Sequence, residues 1–191
     1  IEASTGKVLY EKNSEEFLNP ASVTKTMTML LIMEALDRGE INYDTIITAS
    51  ERAAAMGGSQ IWLKVGEQMS VKDLLKAIAI VSGNDAATAM AEKLGGSVEG
   101  FVDKMNARAK ELGCKNTHFV NPTGLDAEGH GTCAKDLSLI SRELIKHKEI
   151  REYTLSWMDN IRNGQSVLVN TNKLIKTYNG ITGLKTGSTS Q

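Results

Sequence analysis

The segment Leu74-Leu75-Lys76-Ala77-Ile78-Ala79-Ile80-Val81 carries a single charge. Wound as a helix it is apolar on nearly every side, and a helix with no polar face has to be buried. Ser70 supplies its N-cap and Asp73, three residues on, a weak form of the capping box. The neighbouring sequence is helical too. One helix runs from Asp85 to Leu94 and stops at Gly95-Gly96. In another, Val98, Phe101, Val102, Met105, Ala109 and Leu112 recur at i, i+3, i+4 spacing until Gly113. A loop rich in Gly, Asn, Pro and Thr covers 113–133, and a further helix occupies 134–147. The ends read differently. Residues 1–11 form the start of a hairpin with Lys7 to Tyr10 as its better strand, Asn163-Gly164 marks a turn before an extended Gln165–Asn170, and Ile181–Thr186 is a β-branched strand between glycines.

Between the first strand and the buried helix lies an apolar run over 21–37, opened by Asn19-Pro20-Ala21 and ended by Gly39. Ser22 and Lys25 sit at its start, three residues apart, which on a helix brings two Cβ atoms to about 5–6 Å. A serine hydroxyl attacks poorly until a base takes its proton, and a lysine serves as that base when burial or nearby positive charge keeps it neutral. The helix N-terminus, with free N–H groups and a favourable dipole, suits the negative charge such an attack develops. The same tetrad also fits a capping serine beside a solvated lysine. A second copy, Ser4-Thr5-Gly6-Lys7, falls on the hairpin tip, where i and i+3 do not share a face.

Several function classes drop out. The formal net charge is −1 in 191 residues, which offers nothing to nucleic acid or to an anionic membrane. No apolar run approaches the roughly 18 residues of a spanning helix. Cys114 and Cys133 are too few for a metal cluster and read as two buried thiols rather than a bridge. The three histidines form no metal or triad pattern, no cofactor motif is present, and the methionines read as core filler. Gly180–Thr186 is not a phosphate loop, because Leu184 precedes the lysine and the glycines stand too close.

Two short motifs complete a pattern. Ser82-Gly83-Asn84 occupies the break between two helices, where Gly83 permits a tight turn that projects Ser82 and Asn84 into one cavity. Lys185-Thr186-Gly187 ends the last strand, and Gly187 leaves room for a ligand beside the backbone. Ser-x-x-Lys at a helix start, Ser-x-Asn between helices and Lys-Thr-Gly on a late strand, in this order, match a known active-site set. The chain resembles the low-molecular-mass penicillin-binding proteins, the serine-type D-alanyl-D-alanine carboxypeptidases. The resemblance extends over Thr5–Tyr10, Pro20–Lys25, Ser82–Ala87, Asn121–Leu125 and Gly183–Gly187.

That resemblance implies an α/β (α+β) fold of the serine β-lactamase and transpeptidase type, an antiparallel sheet flanked by helices. It implies one catalytic domain over 1–191, C-terminally truncated, with an all-helical subdomain over about 45–160. Ser22 would attack the D-Ala-D-Ala carbonyl of a peptidoglycan stem peptide, with Lys25 as base and Lys185 as the cation holding its pKa down. Ser82 would relay protons, Asn84 would hold the substrate amide, and Lys185, Thr186 and Ser188 would hold the terminal carboxylate. The backbone N–H groups of Ser22 and Ser188 would form the oxyanion hole, and penicillins would acylate the same serine. The expected setting is outside the bacterial cytoplasmic membrane, with membrane attachment only through segments absent from the chain. Two positions depart from some relatives: Ser188 stands where they carry histidine after Lys-Thr-Gly, and Thr171 where they carry arginine between two asparagines. A class A β-lactamase shares the motifs but needs a Glu-x-x-Leu-Asn that is missing between Asn84 and Lys185. A non-catalytic module that binds β-lactams or peptidoglycan is the other alternative, and the intact motif residues weigh against it.

Overall fold

A computed structural model describes residues 1–189. Two buried helices form its centre. The first, α1 (Lys25–Asp37), is buried from Lys25 through Met33 and is preceded by a 3-10 turn, Ala21–Thr24. The second, α3 (Val71–Ile80), is the apolar segment singled out above, with Leu75, Ile78 and Ile80 fully inaccessible. Ser70 caps α3 by accepting from Asp73 N–H at 3.1 Å. Around this pair pack α4 (Asn84–Gly95), α5 (Val98–Glu111), α6 (Ala134–Leu144) and the short α7 (Ile150–Thr154), the first two joined by a close crossing at Gly95. Ser97 caps α5 onto Gly100 N–H at 2.9 Å. The Cys133 thiol takes the same place at α6, accepting from Asp136 N–H at 3.4 Å, and both cysteines are free. Arg108 of α5 ties the periphery together, reaching Glu34 of α1 at 2.8 Å and Glu143 of α6 at 3.4 Å.

The described residues hold two antiparallel pairs of strands. Strands β1 (Ile46–Thr48) and β2 (Gln68–Ser70) pair with Ile47 opposite Met69, and a four-residue α2 (Glu51–Ala54) lies between them. Strands β3 (Met158–Ile161) and β4 (Ser166–Val169) pair with Ile161 opposite Ser166 around the Asn163-Gly164 turn. They are held on α3 by Lys76 to Asp159 at 2.9 Å. A final turn of helix, α8 (Leu174–Thr177), precedes an extended tail.

Four sequence expectations change. Residues 7–10 and 181–186 carry no strand, because within the described residues they join no ladder and their backbone bonds are turn bonds such as Glu2 N–H to Lys7 O; Leu9 and Tyr10 stand 69% and 79% exposed. The helix expected over 134–147 stops at Leu144, and the chain re-enters a helix at Ile150. The Ser4–Lys7 copy is a turn closed by the Glu2 carboxylate, which accepts from Ser4 and Thr5 and is held down to about 2, mainly by the Thr5 hydroxyl. Ser22 lies in the 3-10 turn rather than in α1 itself.

Candidate active site

The Ser22 hydroxyl and the Lys25 amine meet at 3.1 Å. Lys25 is fully inaccessible, and its Nζ also donates to the Thr123 carbonyl at 2.6 Å. Burial, first, and the Lys185 ammonium, second, push the Lys25 amine down to about 7, against the opposing pull of the Asp85 carboxylate. An amine of that pKa is neutral for a large fraction of the time near pH 7, which is the state that can accept a proton.

The loop that supplies the Thr123 carbonyl is built by Asn121. Its Oδ1 accepts from Thr123 N–H, Thr123 Oγ1 and Gly124 N–H, and its Nδ2 donates to Leu125 O. Thr28 of α1 then donates to the Pro122 carbonyl at 2.7 Å, locking the loop to the helix under Ser22. Gly124 has φ +84°, and a Cβ there would lie 1.8 Å from the Ala21 carbonyl, so loop and nucleophile turn are in direct backbone contact. His130 adds a second brace. Its Nδ1 accepts from Val120 N–H at 3.0 Å, which leaves the proton on Nε2 to donate to Thr24 Oγ1 at 2.8 Å. Burial pushes this imidazole down to about 4, consistent with a neutral ring.

Ser82 and Asn84 stand across from Ser22. Ser82 takes φ 62° in the α3–α4 break, and Gly83 N–H bonds the Ala77 carbonyl. Asn84 Nδ2 donates to Gly57 O at 2.7 Å, and its backbone N–H donates to Ser59 O. The Ser82 hydroxyl and Asn84 Oδ1 are buried without a hydrogen-bond partner among the described residues. Unsatisfied polar atoms cost free energy unless a ligand or water meets them. The third side comes from the tail. A Cβ at Gly187 would fall 2.9 Å from Val23 Cγ2, so the tail passes close over the nucleophile turn. Thr186 Oγ1 and Thr171 Oγ1 are 2.7 Å apart.

Ser22, Ser82, Asn84, Thr186 and Ser188 thus line one cleft of about 710 Å³. Lys25 lies beneath Ser22, while Lys185 turns its ammonium onto the Thr186 carbonyl at 2.8 Å and is pushed down to about 8 by burial. Gly58, Ser59, Asp126 and Thr171 also line the cleft, although sequence reasoning gave them no role. Thr171 is the position that departs from some relatives, and Asn121–Gly124 belongs to the Gly-, Asn-, Pro- and Thr-rich loop over 113–133.

A family model described as D-alanyl-D-alanine carboxypeptidase matches residues 1–191. The chain belongs to this family. It is 57% identical over 194 residues to D-alanyl-D-alanine carboxypeptidase DacF of Bacillus subtilis, a match covering 100% of the chain and 50% of that protein. The chain therefore spans about half the length of the curated relatives it matches. A peptidoglycan synthesis regulatory factor from Streptococcus pneumoniae superposes with a TM-score of 0.93 at 33% identity, over 100% of this chain and 59% of its own. Penicillin-binding protein D2 of Listeria monocytogenes, solved in an ampicillin-bound form, gives 0.87 at 34% identity, over 98% and 76%. The fold is that of the penicillin-binding proteins, mixed α/β.

Proposed function

We propose that this chain carries a serine-type D-alanyl-D-alanine carboxypeptidase site that removes the terminal D-alanine from peptidoglycan stem peptides outside the cytoplasmic membrane. One observation carries the proposal: a fully buried amine, held near neutral pKa, lies 3.1 Å from a serine hydroxyl at the floor of an open cleft. Ser22 Oγ attacks the penultimate D-alanine carbonyl and Lys25 takes its proton. The tetrahedral oxyanion is received by the backbone N–H groups of Ser22 and Ser188, a kind of contact worth ~2.7–4 kcal/mol per donor in acyl-transfer enzymes. The C–N bond then breaks as the proton taken by Lys25 is relayed through the Ser82 hydroxyl to the departing amine, so that D-alanine leaves, Lys25 is neutral again and an ester remains on Ser22. Water hydrolyses that ester by the reverse proton path.

Asn84 Oδ1 accepts the substrate amide N–H, a role supported by its lack of any other partner. Lys185, Thr186 and Ser188 take the terminal carboxylate. Because Lys185 rests on a neighbouring carbonyl, it acts here mainly through its charge, with the Thr186 and Ser188 hydroxyls nearer the cleft. Residues 1–191 act as one transpeptidase-like unit, with a helical lobe over about 45–160. Penicillins acylate Ser22 by the same attack on their strained amide. Incubation with a fluorescent penicillin, followed by peptide mapping by mass spectrometry, places the adduct on Ser22, and Ser22→Ala abolishes it. An adduct on any other serine, or labelling that survives Ser22→Ala, overturns the assignment.

A further inference from the structure

The loop that forms the far wall of the cleft ends in an unusual residue. Gly58 and Ser59 line the cleft, and Trp62 follows within three residues, a reach of at most about 10 Å. Trp62 has φ 60° and is 74% exposed. The cause of the backbone conformation is clear. Asp85, fully buried at the start of α4, accepts from Ile61 N–H and Leu63 N–H on the same oxygen, each at 3.0 Å. Converging two N–H groups from either side of one residue on a single anion makes a backbone nest, which forces the left-handed conformation between them. Ile61 and Leu63 are themselves buried at 5% exposure, so the loop is pinned on both sides of the tryptophan.

The backbone there suits glycine, because a side chain with a Cβ pays steric strain in the left-handed region. Packing does not ask for tryptophan either, since three-quarters of its surface meets water. A large rigid indole held outward at a strained position, on a pinned loop that begins in the cleft wall, fits neither backbone need nor core need. Residues held in strained conformations cluster where ligands bind.

We infer that Trp62 is a stacking platform for the saccharide end of the substrate, its indole face lying against the apolar C–H face of an N-acetylmuramyl or N-acetylglucosaminyl ring. This rests on the stem-peptide reading above. The sugar is joined to the peptide four residues before the scissile bond, about 13 Å in an extended chain. Gly58 and Ser59 share the cleft with Ser22, and Trp62 follows three residues after Ser59 on the same pinned loop, within reach of a peptide that extends from Ser22 past them. The indole carries no charge, which suits a neutral pyranose face, and Asp85 fixes its loop before any ligand arrives, so little ordering is lost on binding.

The test uses Trp62→Gly, the residue the backbone conformation favours, so folding is preserved and the melting temperature rises by a few degrees. Binding is measured by calorimetry in a Ser22→Ala background with N-acetylglucosaminyl–N-acetylmuramyl pentapeptide and with the free pentapeptide. With Trp62 present the saccharide-bearing ligand binds about tenfold tighter than the free peptide, and Trp62→Gly collapses that ratio to near one. An unchanged ratio in Trp62→Gly, or equal binding of both ligands to the parent, overturns the inference. Release of D-alanine by the chain with Ser22 intact is measured separately: its failure with both substrates counts against the carboxypeptidase reading, while the saccharide preference in binding still decides the role of Trp62.

Discussion

Replacing Lys25 with methionine, an uncharged side chain of similar length, tests the buried amine directly. An unfolded lysine holds its proton with the ordinary value of 10.5, and in the folded chain the same proton is held at about 7. The unfolded chain therefore binds more protons throughout that interval, so stability rises with pH from about 7 to about 10.5 and the penalty is full below 7. At ~1.4 kcal/mol per unit, the amine costs the fold about 4 kcal/mol at pH 7 and about 1 kcal/mol at pH 10. Methionine removes that penalty but strands the Thr123 carbonyl, whose bond from Lys25 is 2.6 Å, at a cost of about 1–3 kcal/mol that does not vary with pH. Lys25→Met is thus expected to be more stable than the parent by about 1–3 kcal/mol at pH 7 and no more stable at pH 10. Lys185 is present in both proteins, so its own titration largely cancels. Urea unfolding at pH 7, 8, 9 and 10 measures the difference, and the decisive quantity is its change of about 3 kcal/mol across that range. Parallel stability curves would refute the argument, because they would mean that Lys25 carries the same charge folded and unfolded.

The same titration shapes the chemistry. The second-order rate of Ser22 acylation by a labelled penicillin is expected to rise through about pH 7 as Lys25 loses its proton, then fall above about 8 as Lys185 loses the charge that favours the penicillin carboxylate. A profile flat from pH 6 to 9 contradicts this. Gly124→Ala places a Cβ against the Ala21 carbonyl at a built distance of 1.8 Å with φ +84°, so either the Asn121–Leu125 loop or the nucleophile turn must move. A stability loss of about 2–4 kcal/mol in urea is expected, with acylation slowed about a hundredfold, since an ångström of misplacement is enough for that. Full-rate acylation by the Ala variant would show that the loop does not set the position of Ser22.

What the sequence made legible follows from the length scale of each signal. Helices over ten or more residues were readable because their apolar periodicity repeats, and Ser70 caps α3 where its spacing to Asp73 said it would, whereas the Ser97 cap of α5 emerged only in the structure. The stretch from 45 to 70 was silent, because β1 and β2 are three residues each, too short for alternation to stand out. The opposite error arose at residues 7–10 and 181–186, where β-branched and aromatic residues suggested strands. Strand propensity is a preference for a half-buried pleated surface, and within 1–189 neither segment joins a sheet. At the site, Ser22–Lys25 was legible because both residues are local, and Ser82-Gly83-Asn84 because a glycine between two helices announces a turn. The acceptor that anchors the Lys25 amine was not, since Thr123 lies 98 residues away and contributes only a backbone carbonyl, which no side-chain pattern reports. Asp85 was hidden for the same reason: its partners are the N–H groups of Ile61 and Leu63, identical in every residue but proline. Side chains that meet side chains leave a pattern in the sequence, whereas side chains that meet backbone leave one only when the two are close along the chain. The parts of this site that hold its reacting groups still are mostly of the second kind.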